Sequence, residues 1–512
     1  MSWITYYHRY FMRILIDTNV FIYRETDRVL SDDLQNLTRL LSDIQATILV
    51  HPQSHDEVEG IKDTTLRAVM LSKIKAYSIL ESPPAAKSDD IFLTILEVSP
   101  FEWNTVDNSL LYALHKNAVD FLITEDRGIH RKASRLNLTD RVFLIEEALE
   151  DFSKYLVRDR VFTSPALKLV PVHNLDINDP IFDTLKKEYS PDFFSWFERI
   201  CRQGRKSFVN YRNDGLLGAL LIYKIEDEAI ADAVPPLPRK KRLKLATFIV
   251  SHVGQRIGEL FIRLAVDIAI SNRIDEIYLT HFIKEPDRLV DLITEYGFVK
   301  VAVKPGDEAI FSKLLICTRE NCSELTPLSM SNLFYPSFYD GPAVKKFIVP
   351  IQPSYHDRLF TDFKRRRIGL SEFFGEFYPE GNSIRKVYIT HSNILKINPG
   401  DLILFYRSQD LKGIVSLGVV ESFHPKISDP HEISQLVTRR TVYSQMEIEE
   451  MRKPLTVILF THHFHFAQPV IYKQLLDNHI LEGPAQAISE LTNEKYTWIL
   501  EKSGIDRRFA FH

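Results

Sequence analysis

The sequence predicts a multidomain protein of α/β and α+β class: a three-layer parallel sheet, then a mixed sheet, then a small β-barrel. Three observations predict it. Through the first 150 residues, short apolar runs alternate with helical spacing, the pattern of a parallel sheet covered by helices. From near Leu167, paired apolar runs lead into a strand, a Gly-containing turn and a long helix. Beyond residue 345 the runs are short and β-rich, as in a small, partly open barrel. The length of 512 residues, at about 150 per domain, fits three modules.

In the first module, Arg13–Ile16, Thr47–Val50 and Phe121–Thr124 read as short buried strands. Asp32–Ser42 and Thr105–Lys116 have helical spacing, and Glu81–Asp90 is a surface loop. The second module has a polar, helix-rich start and a strand pair around Ser207–Asn210 and Leu216–Lys224. A Pro- and base-rich connection, Val234–Lys244, leads to a strand at Leu245–Ser251. A helix at Gly258–Ser271, a strand at Glu276–Thr280 and the segment LITEYGFVKV complete it. Thr318–Pro342, rich in turn formers, reads as a linker. The last module has strands near Lys346–Ile351, Val387–Thr390, Asp401–Tyr406, Ile414–Glu421 and Thr456–Phe466. The expected borders are 12–150, 160–316, a linker at 317–344, and 345–505.

Composition narrows the function classes. Hydrophobic residues at 45% and charged residues at 26% exclude collagen-like and wholly disordered chains. Lys+Arg at 64 against Asp+Glu at 68 gives -4, which excludes coating of nucleic acid by bulk charge but not local basic patches. Cys201, Cys317 and Cys322 are too few for a disulfide framework and form no CxxC pair, so a reducing cytoplasm is expected. No stretch of about 18 apolar residues runs uninterrupted by charge, and the N-terminus lacks a signal-peptide pattern, so no membrane partner is expected.

The strongest chemical signal is a set of acids near strand ends. Asp17 follows ILI, Glu57 lies just past ILV in HDEVEG, Asp107 opens a helix in TVDNSLLYAL, and Asp126 closes FLITED. In a parallel sheet, residues just past the carboxyl ends of strands share one edge. Clustered carboxylates repel one another unless a cation offsets them, and Mg²⁺ or Mn²⁺ suits oxygen ligands. Such a metal can turn bound water into a nucleophile on a phosphodiester. Asn19 and Thr124 are polar neighbours able to position that water or a phosphate. Each acid taken alone also reads as a helix N-cap.

On MRILIDTNVFIY, the Glu of HDEVEG, VDNSLLYALHKNAVDFLITEDRGI and VFLIEEAL, residues 12–150 resemble a PIN domain. The resemblance implies a metal-dependent ribonuclease with Asp17, Glu57, Asp107 and Asp126 as catalytic, metal-binding acids; a register in which Asp56 replaces Glu57 stays open. It also implies pairing into a homodimer. The basic stretch GIHRKASR, with His130, Arg131, Lys132 and Arg135, offers phosphate contacts or a solvated helix face.

In the second module, LATFIVSHVGQRIGELF places a turn between strand and helix, where backbone N–H groups can hold a pyrophosphate. With the paired strands, DEIYLTHF and EYGF, residues 160–316 resemble the GNAT acetyltransferases. That implies acetyl-CoA at Val253, Gly254, Gln255, Arg256, Ile257 and Gly258. The turn departs from the family pattern, with Val253 at the Gln/Arg position and Arg256 at the first Gly. Ile293 stands where the family often has a tyrosine acid. The run PRKKRLK (Pro238–Lys244) reads as a solvated loop or a grip on RNA or a CoA phosphate.

On FIVPIQPSYHDRLF, NPGDLILFYRSQDLKGIVSLGVVE and KYTWIL, residues 345–505 resemble the PUA-like superfamily in its ASCH or EVE branch, which implies RNA binding. The GxKxxExR signature of ASCH domains is absent, and FKRRR (Phe363–Arg367) offers bulk charge. Tyr388, Phe405, Tyr406 and Arg407 are either stacking and phosphate contacts or core. In His462, His463 and His465, alternation places His463 and His465 on one face of an amphipathic strand and Phe464 and Phe466 on the other.

Three functions follow. The first is a metal-dependent endoribonuclease whose other modules select or modify substrate, with RNA or tRNA as partner; the toxin–antitoxin occurrence of PIN and GNAT domains implies an antitoxin or regulatory protein as well. The second is an acetyl-CoA-dependent N-acetyltransferase of an RNA-linked or protein amine. The third is a non-catalytic RNA-binding scaffold.

Overall fold

A computed structural model describes residues 12–512 apart from 23–31, 45, 75–76, 87–88, 98–104, 154–166, 213, 252–256, 285–286, 319–321, 323, 362, 364–382, 438–441 and 444. The chain divides into two compact units: 1–160 with 429–439 and 443–450, and 161–428 with 440–442 and 451–512.

In the first unit, β1 (Arg13–Ile16) is followed by α1 (Thr18–Ile22), α2 (Asp32–Asp43), β2 (Thr47–Val50), α3 (Pro52–Glu59) and α4 (Thr64–Ile74). Then come β3 (Ser78–Ile79), α5 (Asp90–Ile95), α6 (Val106–His115), β4 (Phe121–Ile123), α7 (Arg127–Arg135), β5 (Val142–Phe143) and α8 (Ile145–Ser153). All pairings in the sheet, ordered β3-β2-β1-β4-β5, are parallel. Leu15, Leu49 and Leu122 join the core on one face, and Ile14, Ile16, Phe121 and Ile123 that on the other. That two-sided burial is why the strands read as unbroken apolar runs. The helices Pro430–Val437 and Gln445–Glu450 belong to this unit, and Gln435 Nε2 donates to Asp120 Oδ1 at 2.8 Å.

The second unit holds two larger sheets. The first contains β6 (Lys168–Pro171), β7 (Lys206–Tyr211), β8 (Leu217–Ile230), β9 (Leu237–Val250), β10 (Glu276–His281), β11 (Val299–Lys304) and β12 (Glu308–Leu314), in the order β11-β12-β10-β9-β8-β7-β6. Helices α9 (Asp183–Glu188) and α10 (Phe193–Arg202) precede β7, α11 (Ile257–Ser271) crosses from β9 to β10, and α12 (Arg288–Glu295) follows β10. The β9–β10 pair is parallel and the other described pairings are antiparallel, because a helical crossover, not a hairpin, joins those two strands.

β9 corrects one expectation. The basic connection Val234–Lys244 is strand from Leu237 onward, paired along β8 with Glu226 opposite Arg242, Asp227 opposite Lys241 and Glu228 opposite Lys240. Asp227 pairs with Arg239, and Glu276 with Lys240 and Arg242, so most of the run's cations are met by acids of neighbouring strands and the run is not a solvated loop. The stretch expected as linker carries a helix, Pro327–Leu333, and the strand β13 (Phe338–Tyr339), with Phe338 fully buried.

The second sheet contains β14 (Lys346–Ile351), β15 (Arg385–Thr390), β16 (Leu402–Arg407), β17 (Gly413–Ile427), β18 (Leu455–Ile471) and β19 (Ser489–Leu491), ordered β15-β18-β17-β16-β14-β19. It is an open sheet with β15 and β19 as edges, where a barrel was expected. One apolar core, including Phe261 and Ile277 as well as Ile348, Leu404 and Phe464, runs through both sheets of this unit.

Two further readings change. Leu455–Phe466 is buried on both faces instead of amphipathic. Register shifts against β17 break simple alternation, so His462 and His465 share a side, with ring centroids 4.3 Å apart, while His463 meets Tyr335 and Phe338. Tyr388, Phe405, Tyr406 and Arg407 are buried: Tyr388 donates to the Pro350 carbonyl at 2.6 Å, and Arg407 is clamped by Asp357 and Asp410. They are core and not a stacking surface. Residues 364–367 of FKRRR lie outside the described residues.

Candidate functional site

At the carboxyl edge of the parallel sheet, Asp17 is buried beside Thr124, whose hydroxyl donates to Asp17 Oδ2 at 2.7 Å. Burial and then the charge of Asp107 push the Asp17 pKa up to about 6, against the lowering effect of the Thr124 and Thr18 hydrogen bonds. Thr18 Oγ1 also donates to Glu57 Oε2 at 2.9 Å, so Glu57, not Asp56, reaches the neighbourhood of Asp17. Asn19 Nδ2 donates to Thr124 Oγ1 at 3.1 Å. Glu57 lies within α3, which follows β2.

The other acids are engaged locally. Asp126 caps α7 by accepting from Gly128 N at 2.6 Å, and Asp107 is drawn to Lys132 at 3.3 Å. Lys132 therefore meets a carboxylate, and Arg135 meets Glu97 at 2.9 Å. Among the described residues, the three side chains close enough to share an ion are His55, Asp56 and Glu59 on α3, and no three of the four expected acids gather so closely. Asp17, with Asp107 raising its pKa, fits a divalent cation by chemistry; Glu57 and Asp126 would have to leave their present partners.

The second site was not foreseen. A cavity of about 460 Å³ opens on the seven-stranded sheet, bounded by α9, α10, β8, β9, β10 and β12. Pairing of β9 with β10 covers Leu243–Leu245 against Ile277–Leu279, while β9 runs on to Val250. Where the parallel strands part, side chains from both enter the cavity.

Four charged or hydroxyl pairs define its chemistry. The Tyr278 hydroxyl donates to Glu226, and the Tyr189 hydroxyl donates to Glu308 Oε1 at 2.7 Å. Lys224 sits 3.1 Å from Glu226, and Lys304 lies 3.2 Å from Asp232. Burial pushes Glu226 up, but Tyr278 and Lys224 outweigh it and hold its pKa below the ordinary value. Both tyrosines are raised, by burial and then by the carboxylates they serve, so they stay protonated. Lys244 differs: among the described residues it has no carboxylate within 4.0 Å and no hydrogen bond, and it lies over the Tyr278 ring at 5.5 Å. Burial lowers its pKa. Thr247 is 4% exposed, and its buried hydroxyl has no partner among the described residues.

Of the turn expected to hold acetyl-CoA, Val253, Gly254, Gln255 and Arg256 lie outside the described residues. Ile257 and Gly258 open α11 and are buried. A Cβ on Gly258 would lie 2.5 Å from Leu292 Cδ2, so glycine lets α11 start hard against α12. Beyond Leu245, β9 runs on without pairing to β10, and that parting fits an elongated ligand with amide groups, as CoA has.

The sequence held one signal for this site. YKIEDEAI followed by a turn and PRKKRLKL is an acidic strand facing a basic one. Tyr189, Tyr278 and Glu308 come from separate elements and share no local motif.

No family model and no curated protein matches the chain. Solved structures match parts of it. The crystal structure of ASCH from Zymomonas mobilis is 14% identical, covers 31% of this chain and 94% of its own, and has a TM-score of 0.24. A GNAT-family acetyltransferase from Listeria monocytogenes 4b F2365 is 20% identical over 29% of this chain and 95% of its own, with a TM-score of 0.23. Aminoglycoside 6'-acetyltransferase type Ii is 16% identical over 29% of this chain and 98% of its own, with a TM-score of 0.21. Among the described residues, no helix is long and apolar enough to cross a membrane.

Proposed function

We propose that the chain transfers an acyl group from a CoA thioester to an amine in the cavity of the seven-stranded sheet. The observation that carries this reading is the parting of β9 from β10 beside the buried, tyrosine-held carboxylates Glu226 and Glu308. A bound thioester supplies an activated acyl carbon: its C–S bond gives way to a C–N bond, the amine sheds one proton and the thiol leaves protonated. Glu226 and Glu308 attract the ammonium form of the acceptor and accept its proton. Tyr189 and Tyr278 fix those carboxylates by hydrogen bonds, and the apolar wall of α10 excludes water. The turn ending at Gly258 would hold the pyrophosphate by backbone N–H groups. The test is mass spectrometry of an amine mixture incubated with the full chain and acetyl-CoA in EDTA. Acetylated product supports the reading; its absence with intact protein opposes it.

A second reading, favoured by the high pKa of buried Asp17, is divalent-metal-dependent RNA hydrolysis by the first unit. Asp17 and Asp107 would hold the ion, with Glu57 and Asp126 joining after leaving Thr18 and Gly128. When bound, the ion supplies an activated water. RNA cleavage in Mn²⁺ that stops in EDTA and in Asp17→Asn supports it. Cleavage that survives Asp17→Asn plus Asp126→Asn opposes it.

A further inference from the structure

We infer that the cavity takes a small zwitterion, a free amino acid, as acceptor, with Lys244 and Thr247 holding its carboxylate. This rests on the acyl-transfer reading of the same cavity, although recognition of the carboxylate can be measured without any transfer.

Most of the charged groups in the cavity are already satisfied. Glu226 is held by Tyr278 and Lys224, Glu308 by Tyr189, and Lys304 lies beside Asp232. Among the buried and half-buried lining groups, Lys244 and Thr247 are left over: a half-buried ammonium with no carboxylate within 4.0 Å and a buried hydroxyl with no hydrogen bond among the described residues. An unpaired buried donor and an unpaired buried charge both cost stability, so a ligand that satisfies them gains what the empty cavity lacks. They lie on one strand, β9, close to where it parts from β10.

A carboxylate matches this pair in charge and in geometry. It carries one negative charge against one free ammonium, and two oxygens against the ammonium and the hydroxyl. A phosphate dianion would bring a second charge toward Glu226 and Glu308, both of which face Lys244. A polyamine would bring cations toward Lys224, Lys244 and Lys304, which line the same cavity. The amine of the zwitterion then lies along the same face of the sheet, where Glu226 stands two residues from Lys224, the β8 partner of Lys244, and where Tyr189 holds Glu308. Leu185, Phe193 and Trp196 line the remaining wall and suit an apolar or aromatic side chain.

The test is calorimetric titration of the full chain with L-phenylalanine, L-phenylalaninamide and spermidine. The amino acid is expected to bind at least tenfold more tightly than its amide. That preference is expected to vanish in Lys244→Met and to shrink in Thr247→Val, with the far-ultraviolet circular dichroism of each variant reporting that it has folded. Should Lys244→Met not fold, Lys244→Gln takes its place. Equal binding of acid and amide, binding of neither, or a preference unchanged by both substitutions overturns the inference. Thiol release from acetyl-CoA, followed in parallel, separates the two claims. Release with the amide or spermidine but not with the amino acid would leave acyl transfer standing and remove the zwitterion. Selective amino-acid binding with no release from any amine would do the reverse.

Discussion

Glu259, in the first turn of α11, accepts the Ser383 hydroxyl at 2.7 Å across 124 residues of chain, and the Ile384 amide at 3.1 Å. The helix that follows the candidate pyrophosphate turn is thus tied to the strand entering the second sheet of the same unit. Hydrogen bonds to a charged group contribute about 1.5–3 kcal/mol. Glu259→Gln is expected to lower stability by about 1–2 kcal/mol in denaturant titration. It is also expected to raise the KM for acetyl-CoA by about tenfold with kcat little changed, because it loosens cofactor binding and leaves the acceptor wall intact.

Gly258 and Leu292 form a close contact that a methyl group would enter. Alanine normally stabilises a helix by about 1 kcal/mol over glycine. Here overpacking is expected to cancel that gain, so Gly258→Ala should be no more stable than the wild type. In a double-mutant cycle with Leu292→Ala, the coupling is expected to be about 1 kcal/mol, measured by chemical denaturation.

Asp17 makes the first unit sensitive to pH. Its pKa of about 6 in the fold lies above the unfolded value near 3.8. The folded state therefore binds the extra proton between these values, and stability falls as pH rises through that window. Asp17→Asn removes the penalty and is expected to add up to about 3 kcal/mol at pH 8 and almost nothing below pH 3.8. If the second reading of this site is right, millimolar Mn²⁺ at pH 8 raises the melting temperature of the wild type and not of Asp17→Asn.

Lys313 sets the opposite slope in the second unit. It is fully buried, donates to the Leu333 carbonyl at 3.1 Å, and burial pushes its pKa down to about 7 from 10.5. Between those values the unfolded chain binds the extra proton, so stability rises with pH from about 7 to 10.5. Lys313→Met is expected to stabilise the unit at pH 7 by up to about 5 kcal/mol and to do little above pH 10.5, as read from melting curves across pH.

Much of the strand framework was legible because apolar runs end at polar residues. Arg13–Ile16, Thr47–Val50 and Lys346–Ile351 are strands at the bounds the sequence implies. The first half of β9 was hidden because Arg239 is paired with Asp227 on β8, and Lys240 and Arg242 with Glu276 on β10, Arg242 at 2.9 Å. The side taken by His463 depends on a register shift between β17 and β18, which no local pattern records. The acids of the first unit were legible as residues at one sheet edge; their present engagement with Thr18, Lys132 and Gly128 was not. The cavity was the least legible, since Tyr189, Glu226, Lys244 and Glu308 meet only after the sheet assembles.

The most direct measurement is acceptor-dependent thiol release from acetyl-CoA by the full chain, compared with the Glu226→Gln plus Glu308→Gln variant. Amine acyl transfer in this cavity predicts release that requires the acceptor and falls by about 100-fold or more in the variant. Release that is absent with every amine, or unchanged in the variant, would contradict it.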